Sequence, residues 1–194
     1  MGIYRCILAD PPWKFRDRHT RGAAERHYRT LSLEDLLRLP VADLAAPDSH
    51  LWLWCPNAML ADGTAARVAR AWGFEPKTVV TWAKVARDGK TPRIGTGHWV
   101  RNATEHMLFC VRGRLAALDR SVPSYFLAPI SRIHFRKPDK SYRIIERISP
   151  GPYLELFATR RMPGWDALGL ALDGLDIREA LARLRLADTV GERG

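Results

Sequence analysis

Short apolar runs recur along the chain, and segments with helical periodicity or with glycine and proline separate most of them. Runs that are apolar on both faces are typical of strands buried inside a sheet. The predicted strands are Ile3–Ala9, Leu51–Cys55, Thr78–Ala83, Glu105–Val111, Tyr125–Ala128 and Tyr153–Ala158.

Helical signals lie between and after these strands. Ser32 caps a short helix with leucines on one face, and Pro40 ends it. The other predicted helices run from Pro56 to Trp72, from Pro138 to Ile148 and from Leu175 to Val190. The last helix covers the core or binds a partner. Strands that alternate with helices predict an α/β sandwich with a mainly parallel sheet, in which ligands bind at the carboxyl ends of strands.

The chain is strongly basic, with 31 Lys and Arg against 21 Asp and Glu and a net charge of +10. This excess favours a polyanionic partner such as nucleic acid, although a basic surface that only maintains solubility is the alternative. Two loops, residues 14–30 and 84–98, hold most of the candidate phosphate contacts. The predicted contacts are Lys14, Arg16, Arg18, Arg21, Lys84, Arg93, His98 and Arg101.

Cys6, Cys55 and Cys110 each lie inside an apolar run, and no pair has the short spacing of a metal site. They predict buried thiols in a reducing compartment, and we expect no metal. No secretory signal and no apolar run of about 18 residues occur. We therefore expect a cytoplasmic protein without a membrane partner.

The tetrapeptide Asp10-Pro11-Pro12-Trp13 directly follows the first strand. It brings a carboxylate, backbone carbonyls without N–H donors and a large flat ring to one point. The Asp10 carboxylate and the Pro11 carbonyl suit the two N–H bonds of an adenine amine, whose lone pair they would localise for attack on a methyl donor. Trp13 suits stacking on the base. The alternative is a structural Pro-Pro turn with a buried Trp.

The motifs after this tetrapeptide resemble, in order, those of the MT-A-70 family of S-adenosylmethionine-dependent adenine-N6 methyltransferases. They are Tyr28–Ser32, Gly97–Trp99, Arg101–Glu105, Arg136–Asp139, Ile145–Gly151 and Leu154–Phe157. The resemblance implies a Rossmann-like methyltransferase fold over residues 1–171, in the permuted order with the catalytic strand before the methyl-donor strand. Residues 172–194 would be a C-terminal helical extension of the same domain.

The same resemblance implies S-adenosyl-L-methionine as cofactor and adenine in nucleic acid as target. The pattern is closest to the bacterial and phage branch, which favours DNA over RNA. A homodimer or a related methyltransferase subunit is left open. The implied catalytic residues are Asp10, Pro11, Pro12, Trp13 and Tyr28. The implied donor-binding residues are Asp10, Pro11, Asn102, Glu105, Arg136, Lys137, Pro138, Phe157, Arg160, Arg161 and Gly169.

Several positions depart from the family pattern, among them Ile133 and Phe135, which replace polar residues expected before Arg136. Leu170 and Ala171 stand where the family usually has an Asn followed by Glu or Gln, which hold the ribose of the donor, and Thr159 interrupts an expected Ala-Arg-Arg run. A catalytically silent nucleic-acid-binding subunit is therefore the alternative to an active methyltransferase.

Reversing the charge at Arg18, Arg21 and Arg93 is expected to weaken binding to every oligonucleotide sequence. Each arginine that contacts a phosphate releases counterions from the DNA. Its loss should therefore lower the salt slope, which is the steepness with which log affinity for duplex DNA falls with log salt concentration, by about 0.9. Oligonucleotide affinity measured over a range of salt concentrations tests this. An unchanged slope would show that the two loops do not contact phosphates.

Overall fold

The first strand is buried on both faces because its last four residues, Cys6–Ala9, are apolar. The computed structural model describes residues 2–14, 31–97, 99–131, 133 and 136–191. The strands are β1 (Tyr4–Ala9), β2 (Ala45–Cys55), β3 (Glu75–Val85), β4 (Thr104–Arg112), β5 (Tyr125–Pro129), β6 (Tyr153–Leu156) and β7 (Trp165–Leu168).

These strands form one sheet in the order β5-β3-β4-β2-β1-β6-β7. The β1–β2, β1–β6, β3–β5 and β6–β7 pairs are parallel. Strand β4 runs antiparallel to both of its neighbours, β2 and β3. The predicted α/β fold with a mainly parallel sheet is therefore confirmed, and it is consistent with a Rossmann-like methyltransferase.

Helices cover both faces of the sheet. They are α1 (Leu33–Leu37), α2 (Asn57–Ala61), α3 (Thr64–Ala71), α4 (Asp139–Ile148), α5 (Leu170–Asp173) and α6 (Ile177–Gly191), with a 3-10 turn at Val41–Asp43. One buried cluster joins α1, α3 and α6 through Leu36, Val68 and Leu181. The cluster on the other face includes Ile145 of α4 and Trp52 of β2.

Alternation along β1 decides which layer each side chain enters. Cys6 and Leu8 lie in the cluster beneath α4, whereas Ile7 and Ala9 lie in the cluster beneath α1 and α3. The next residue, Asp10, continues this alternation toward α4. The sheet thereby places the carboxylate of the tetrapeptide beside the segment that precedes α4.

The predicted helix from Pro56 to Trp72 is two helices, and the prediction of one continuous helix was wrong. Gly63 has φ +77°, in the left-handed region that favours glycine. The Asp62 carboxylate accepts a hydrogen bond from the Thr64 N–H at 2.9 Å. Asp-Gly is a turn signal, and here it outweighs the apolar periodicity on either side.

The end of the sheet also differs from the prediction. Strand β6 ends at Leu156 rather than Ala158, because Phe157 has φ 64° and leaves the extended conformation. Strand β7 was not predicted. Its four residues carry only two buried side chains, Trp165 and Ala167, which is too short a pattern to recognise without its pairing partner.

The three cysteines are buried free thiols, as predicted, and burial raises the pKa of each. Within the described ranges, no group of three or more His, Cys, Asp or Glu side chains has a metal-binding arrangement. No helix in the same ranges is long and apolar enough to cross a membrane.

Trp72→Phe is expected to lower the free energy of unfolding by about 2 kcal/mol. The Trp72 side chain is fully buried, and its Nε1 donates to the Leu36 carbonyl at 2.7 Å. The smaller phenylalanine ring loses this hydrogen bond and part of the apolar packing around the indole. Denaturant unfolding measures the loss. Trp99, which is 99% exposed, provides the control: Trp99→Phe should change the free energy by less than about 0.5 kcal/mol. Similar losses in both variants would contradict the prediction.

Candidate active site

The candidate site lies where the carboxyl ends of β1, β2 and β6 meet. Ala9 is in register with Leu53 on one side and with Leu156 on the other. The Asp10 N–H donates to the Leu156 carbonyl at 3.4 Å. Asp10 therefore faces the end of β6, at the edge where parallel sheets bind their ligands.

Trp13 fixes the tetrapeptide onto the sheet. Its Nε1 donates to the Trp54 carbonyl at 2.9 Å, and its backbone N–H donates to the Pro11 carbonyl at 2.8 Å. The residue is only 9% exposed and belongs to the buried cluster around Leu31. This burial leaves little surface on which a base could stack, so the structure shows an anchor where the sequence analysis expected a stacking surface.

An ammonium group joins two carboxylates at the centre of the site. Lys137 Nζ lies 2.8 Å from Asp10 Oδ2 and 3.1 Å from Glu105 Oε2. It also lies 5.3 Å from the centre of the Trp54 ring. Because β2 separates β1 from β4, Trp54 occupies the gap between the two carboxylates, and Lys137 bridges that gap from above the ring.

A second ammonium extends this row. Lys84 Nζ lies 2.6 Å from Glu105 Oε1, so the two oxygens of Glu105 are held by different lysines. The row Lys84, Glu105, Lys137, Asp10 alternates in charge, and each side chain is between 17% and 27% exposed. Partly buried opposite charges at these distances interact more strongly than surface pairs do.

Burial and the charges of the row act together on the pKa values of Lys137, Glu105 and Asp10. Burial alone would lower the pKa of Lys137, but the carboxylates of Asp10 and Glu105 outweigh burial and raise it. Burial would raise the pKa of Glu105, yet Lys137 and Lys84 together bring it below its ordinary value. For Asp10, burial exceeds the opposing effect of Lys137, and its pKa is raised. Lys137 therefore stays cationic, which keeps the row intact.

A third carboxylate, Glu155, lies one row deeper in the sheet. It is in register with Leu8 on β1 and is 7% exposed. The Tyr142 hydroxyl donates to it, 2.9 Å from Oε1 and 3.0 Å from Oε2. Burial raises the pKa of Glu155 to about 7; the hydrogen bond from Tyr142 opposes the rise, and the negative charge of Asp10 adds to it.

Arginines surround the start of α4. Arg160 lies 5.2 Å from the Tyr142 ring centre and pairs with Asp139, the first residue of α4. Arg136 also pairs with Asp139, at 3.8 Å. Pro138 is the N-cap residue of the helix. The predicted residues Arg136, Lys137, Pro138 and Arg160 are thus brought together around the start of α4, and among them Lys137 contacts Asp10.

Other predicted residues lie elsewhere. Asn102 and Arg161 are exposed, as are the predicted phosphate contacts Lys14, Arg93 and Arg101. Gly169 is buried, and a Cβ on it would lie 2.1 Å from the Ala158 carbonyl oxygen, so this position requires glycine for packing. Tyr28, Arg16, Arg18, Arg21 and His98 lie outside the described residues.

Sequence reasoning did not assign roles to Trp54, Tyr142 or Glu155. A signal for Glu155 was present, because a charged residue inside the apolar strand Tyr153–Leu156 requires a buried partner. Tyr142 lies inside the predicted helix from Pro138 to Ile148, where its spacing matches that of the apolar positions. Its hydroxyl reaches Glu155 only once α4 packs on the sheet, which no local pattern shows.

Glu155→Gln is expected to change how stability depends on pH. A carboxyl pKa that is higher in the folded than in the unfolded protein means that stability falls as pH rises through this interval. Between pH 5 and pH 8 the variant should therefore gain about 2 kcal/mol over the wild type in free energy of unfolding, since Gln carries no ionisable proton and still accepts from Tyr142. Denaturant unfolding at several pH values measures it; parallel curves would refute a raised pKa at Glu155.

Known proteins are similar to this chain in sequence. The chain is 32% identical over 181 residues to the human N(6)-adenosine-methyltransferase catalytic subunit METTL3. This alignment covers 91% of this chain and 30% of METTL3. It is 32% identical over 179 residues to the Drosophila melanogaster N(6)-adenosine-methyltransferase MT-A70-like protein, covering 90% of this chain and 28% of that protein. Type II methyltransferase M.MunI of Mycoplasma sp is 28% identical over 190 residues, covering 87% of this chain and 78% of M.MunI.

The chain spans less than a third of the METTL3-type relatives but most of M.MunI. The MT-A70 family profile matches residues 4–171, from the first residue of β1 to the start of α5. With Asp10–Trp13 at the carboxyl end of β1 and Lys137 against Asp10, this match shows that the chain belongs to the MT-A70 family.

Proposed function

We propose that this protein transfers a methyl group from S-adenosylmethionine to the N6 amino group of adenine in nucleic acid. The observation that carries the proposal is the position of Asp10, held by Lys137 at the junction of β1 and β6. Relatives that match nearly the whole chain are named N(6)-adenosine-methyltransferases, which supports the same chemistry here.

The chemistry of the side chains at this edge fits the donor. S-adenosylmethionine carries a carboxylate, an ammonium and a sulfonium. Lys137 offers a cation for the carboxylate, and the carboxylates of Asp10 and Glu155 offer negative charge for the cationic groups. Phe157 has the left-handed backbone conformation directly after β6, so the chain leaves the direction of the strand at this edge of the sheet. When bound, the donor supplies a methyl group activated by the positive sulfur.

Asp10 and Pro11 would hold the target amine. The nitrogen of adenine N6 is a poor nucleophile because its lone pair is delocalised into the ring. Hydrogen bonds from its two N–H groups to the Asp10 carboxylate and the Pro11 carbonyl localise that pair. The Pro11 carbonyl already accepts from the Trp13 N–H, and a carbonyl oxygen has a second lone pair for the amine.

Lys137 determines how Asp10 acts. The ammonium occupies Oδ2 at 2.8 Å, so Asp10 serves as an oriented hydrogen-bond acceptor rather than as a strong base. A strong base is not needed, because the amine becomes acidic once it carries the new methyl group. The surplus proton then passes to Asp10 and on to water.

Exposed groups beside the site suit a polymeric substrate. The loop of residues 86–103, between β3 and β4, presents Arg93 and Arg101, and its Trp99 is 99% exposed. Cations and an exposed ring are the groups by which proteins bind unpaired nucleotides. We favour DNA over RNA because the motifs resemble most those of the bacterial and phage branch. The chain also covers 78% of the bacterial M.MunI but 30% of METTL3.

Asp10→Asn is expected to lower methyl transfer at least about 100-fold, because the neutral amide no longer orients the amine as an anionic acceptor does. The assay uses labelled S-adenosylmethionine with DNA and RNA oligonucleotides, followed by mass spectrometry of the nucleosides to locate the methyl group. Thermal unfolding verifies that the variant is folded. Equal incorporation by wild type and variant would exclude the proposed role of Asp10.

The second candidate function is a catalytically silent nucleic-acid-binding subunit. It is favoured by Leu170, 44% exposed, and exposed Ala171 at the start of α5, where the family pattern has polar side chains. Calorimetry with S-adenosylmethionine separates the two. Micromolar binding counts against a silent subunit, and nucleic-acid binding without donor binding would favour it.

A further inference from the structure

We propose that Lys84 is a positioning residue, which couples the loop of residues 86–103 to Asp10 through Glu105 and Lys137. The inference rests on the proposed function for its catalytic consequence. Lys84 is one of the predicted phosphate contacts, and the structure gives it two sets of contacts that a phosphate-binding lysine does not need.

The first set ties Lys84 to the middle and to the far end of the loop. Its N–H donates to the Ala103 carbonyl at 2.8 Å, and its carbonyl accepts from the Arg93 N–H at 2.8 Å. One residue thus holds the strand that enters the loop, the returning strand and the turn that carries Arg93. A nucleic acid that binds Arg93 and displaces the loop acts on the backbone of Lys84.

The second set ties the same residue to the catalytic edge. The Lys84 side chain is 17% exposed, and its Nζ lies 2.6 Å from Glu105 Oε1 and 5.3 Å from the Trp82 ring centre. Glu105 has its other oxygen on Lys137, which in turn holds Asp10. Lys84 therefore fixes the orientation of the carboxylate that keeps Lys137 in place.

Removal of Lys84 leaves Glu105 with one cation. Two ammonium groups hold the carboxylate plane from opposite ends, whereas Lys137 alone allows it to rotate and to draw Lys137 away from Asp10. The effect falls on the orientation of Asp10, so it belongs to the chemical step. A lysine that only contacted phosphate would instead affect binding of the polymer and its salt dependence.

The test compares Lys84→Met with Lys84→Arg and with Lys77→Met, an exposed lysine near the other end of β3. Lys84→Met should lower kcat for methyl transfer about 10- to 100-fold, the range for a misplaced catalytic group. The KM for the oligonucleotide should change less than about twofold, and the salt slope of binding should stay the same. Lys84→Arg should recover most of kcat, and Lys77→Met should match the wild type.

A double variant with Glu105→Gln gives a second measurement. If Lys84 acts through Glu105, the double variant loses little more kcat than Glu105→Gln alone, because the two changes interrupt one network. Losses that multiply would overturn the proposal. An unchanged kcat in Lys84→Met, or a salt slope lowered by about one, as expected for a lost phosphate contact, would also overturn it.

A readout without turnover separates this inference from the proposed function. The side-chain ammonium resonance of Lys137, observed in ¹⁵N-labelled protein and assigned with Lys137→Arg, should shift in Lys84→Met and stay in place in Lys77→Met. An unshifted resonance overturns the positioning role. Absence of methyl transfer by the wild type would refute the proposed function, while the resonance still decides on Lys84.

Discussion

The site depends on the ammonium group of Lys137 between two carboxylates. A carboxylate at the sheet edge that is largely withdrawn from water is unfavourable unless a cation and hydrogen bonds compensate for its lost solvation. Lys137 gives this compensation to Asp10 and Glu105 at once, at 2.8 and 3.1 Å. Removal of the ammonium would leave two like charges facing the Trp54 ring.

The order of strands makes this arrangement geometrically possible. Asp10 follows β1, Glu105 is near the start of β4, and β2 lies between them with Trp54 facing α4. Because β4 is antiparallel, its first residues lie at the same edge as the last residues of β1 and β2. A parallel β4 would place Glu105 at the opposite edge. The one reversed strand therefore contributes a residue near its beginning to a site formed by strand ends.

Completion of the site requires both ends of the family match. The tetrapeptide is close to the N-terminus, yet the strand beside it is β6, and Lys137 belongs to the segment before α4. Neither the N-terminal nor the C-terminal half alone contains both Asp10 and its cation. Folding and assembly of the site are thus linked, since contacts between distant segments form only after long loops have closed.

Sequence could predict those parts of the molecule that local chemistry determines. The apolar run of residues 3–9 predicted a buried strand, which the structure confirms, and Asp10–Trp13 predicted a site at its carboxyl end. Residues with partners far along the chain could not be resolved: Trp13 is an anchor because the Trp54 carbonyl lies beside it, and Lys84 faces Glu105 because β3 pairs with β4. The Asp62–Gly63 break was a local signal that apolar periodicity concealed.

Asp10 and Glu155 follow and end neighbouring parts of the same sheet edge but differ in environment, and the difference suits them to different roles. Asp10 has a permanent cation at 2.8 Å, whereas Glu155 has a neutral phenol and burial that brings its pKa to about 7. Paired titratable groups with unlike surroundings are the usual way in which one site obtains two functions from one residue type. Asp10 is suited to orienting an amine as an ion-paired acceptor near the surface. Glu155, deeper and hydrogen-bonded to Tyr142, is suited to gaining its charge when a cationic group approaches it.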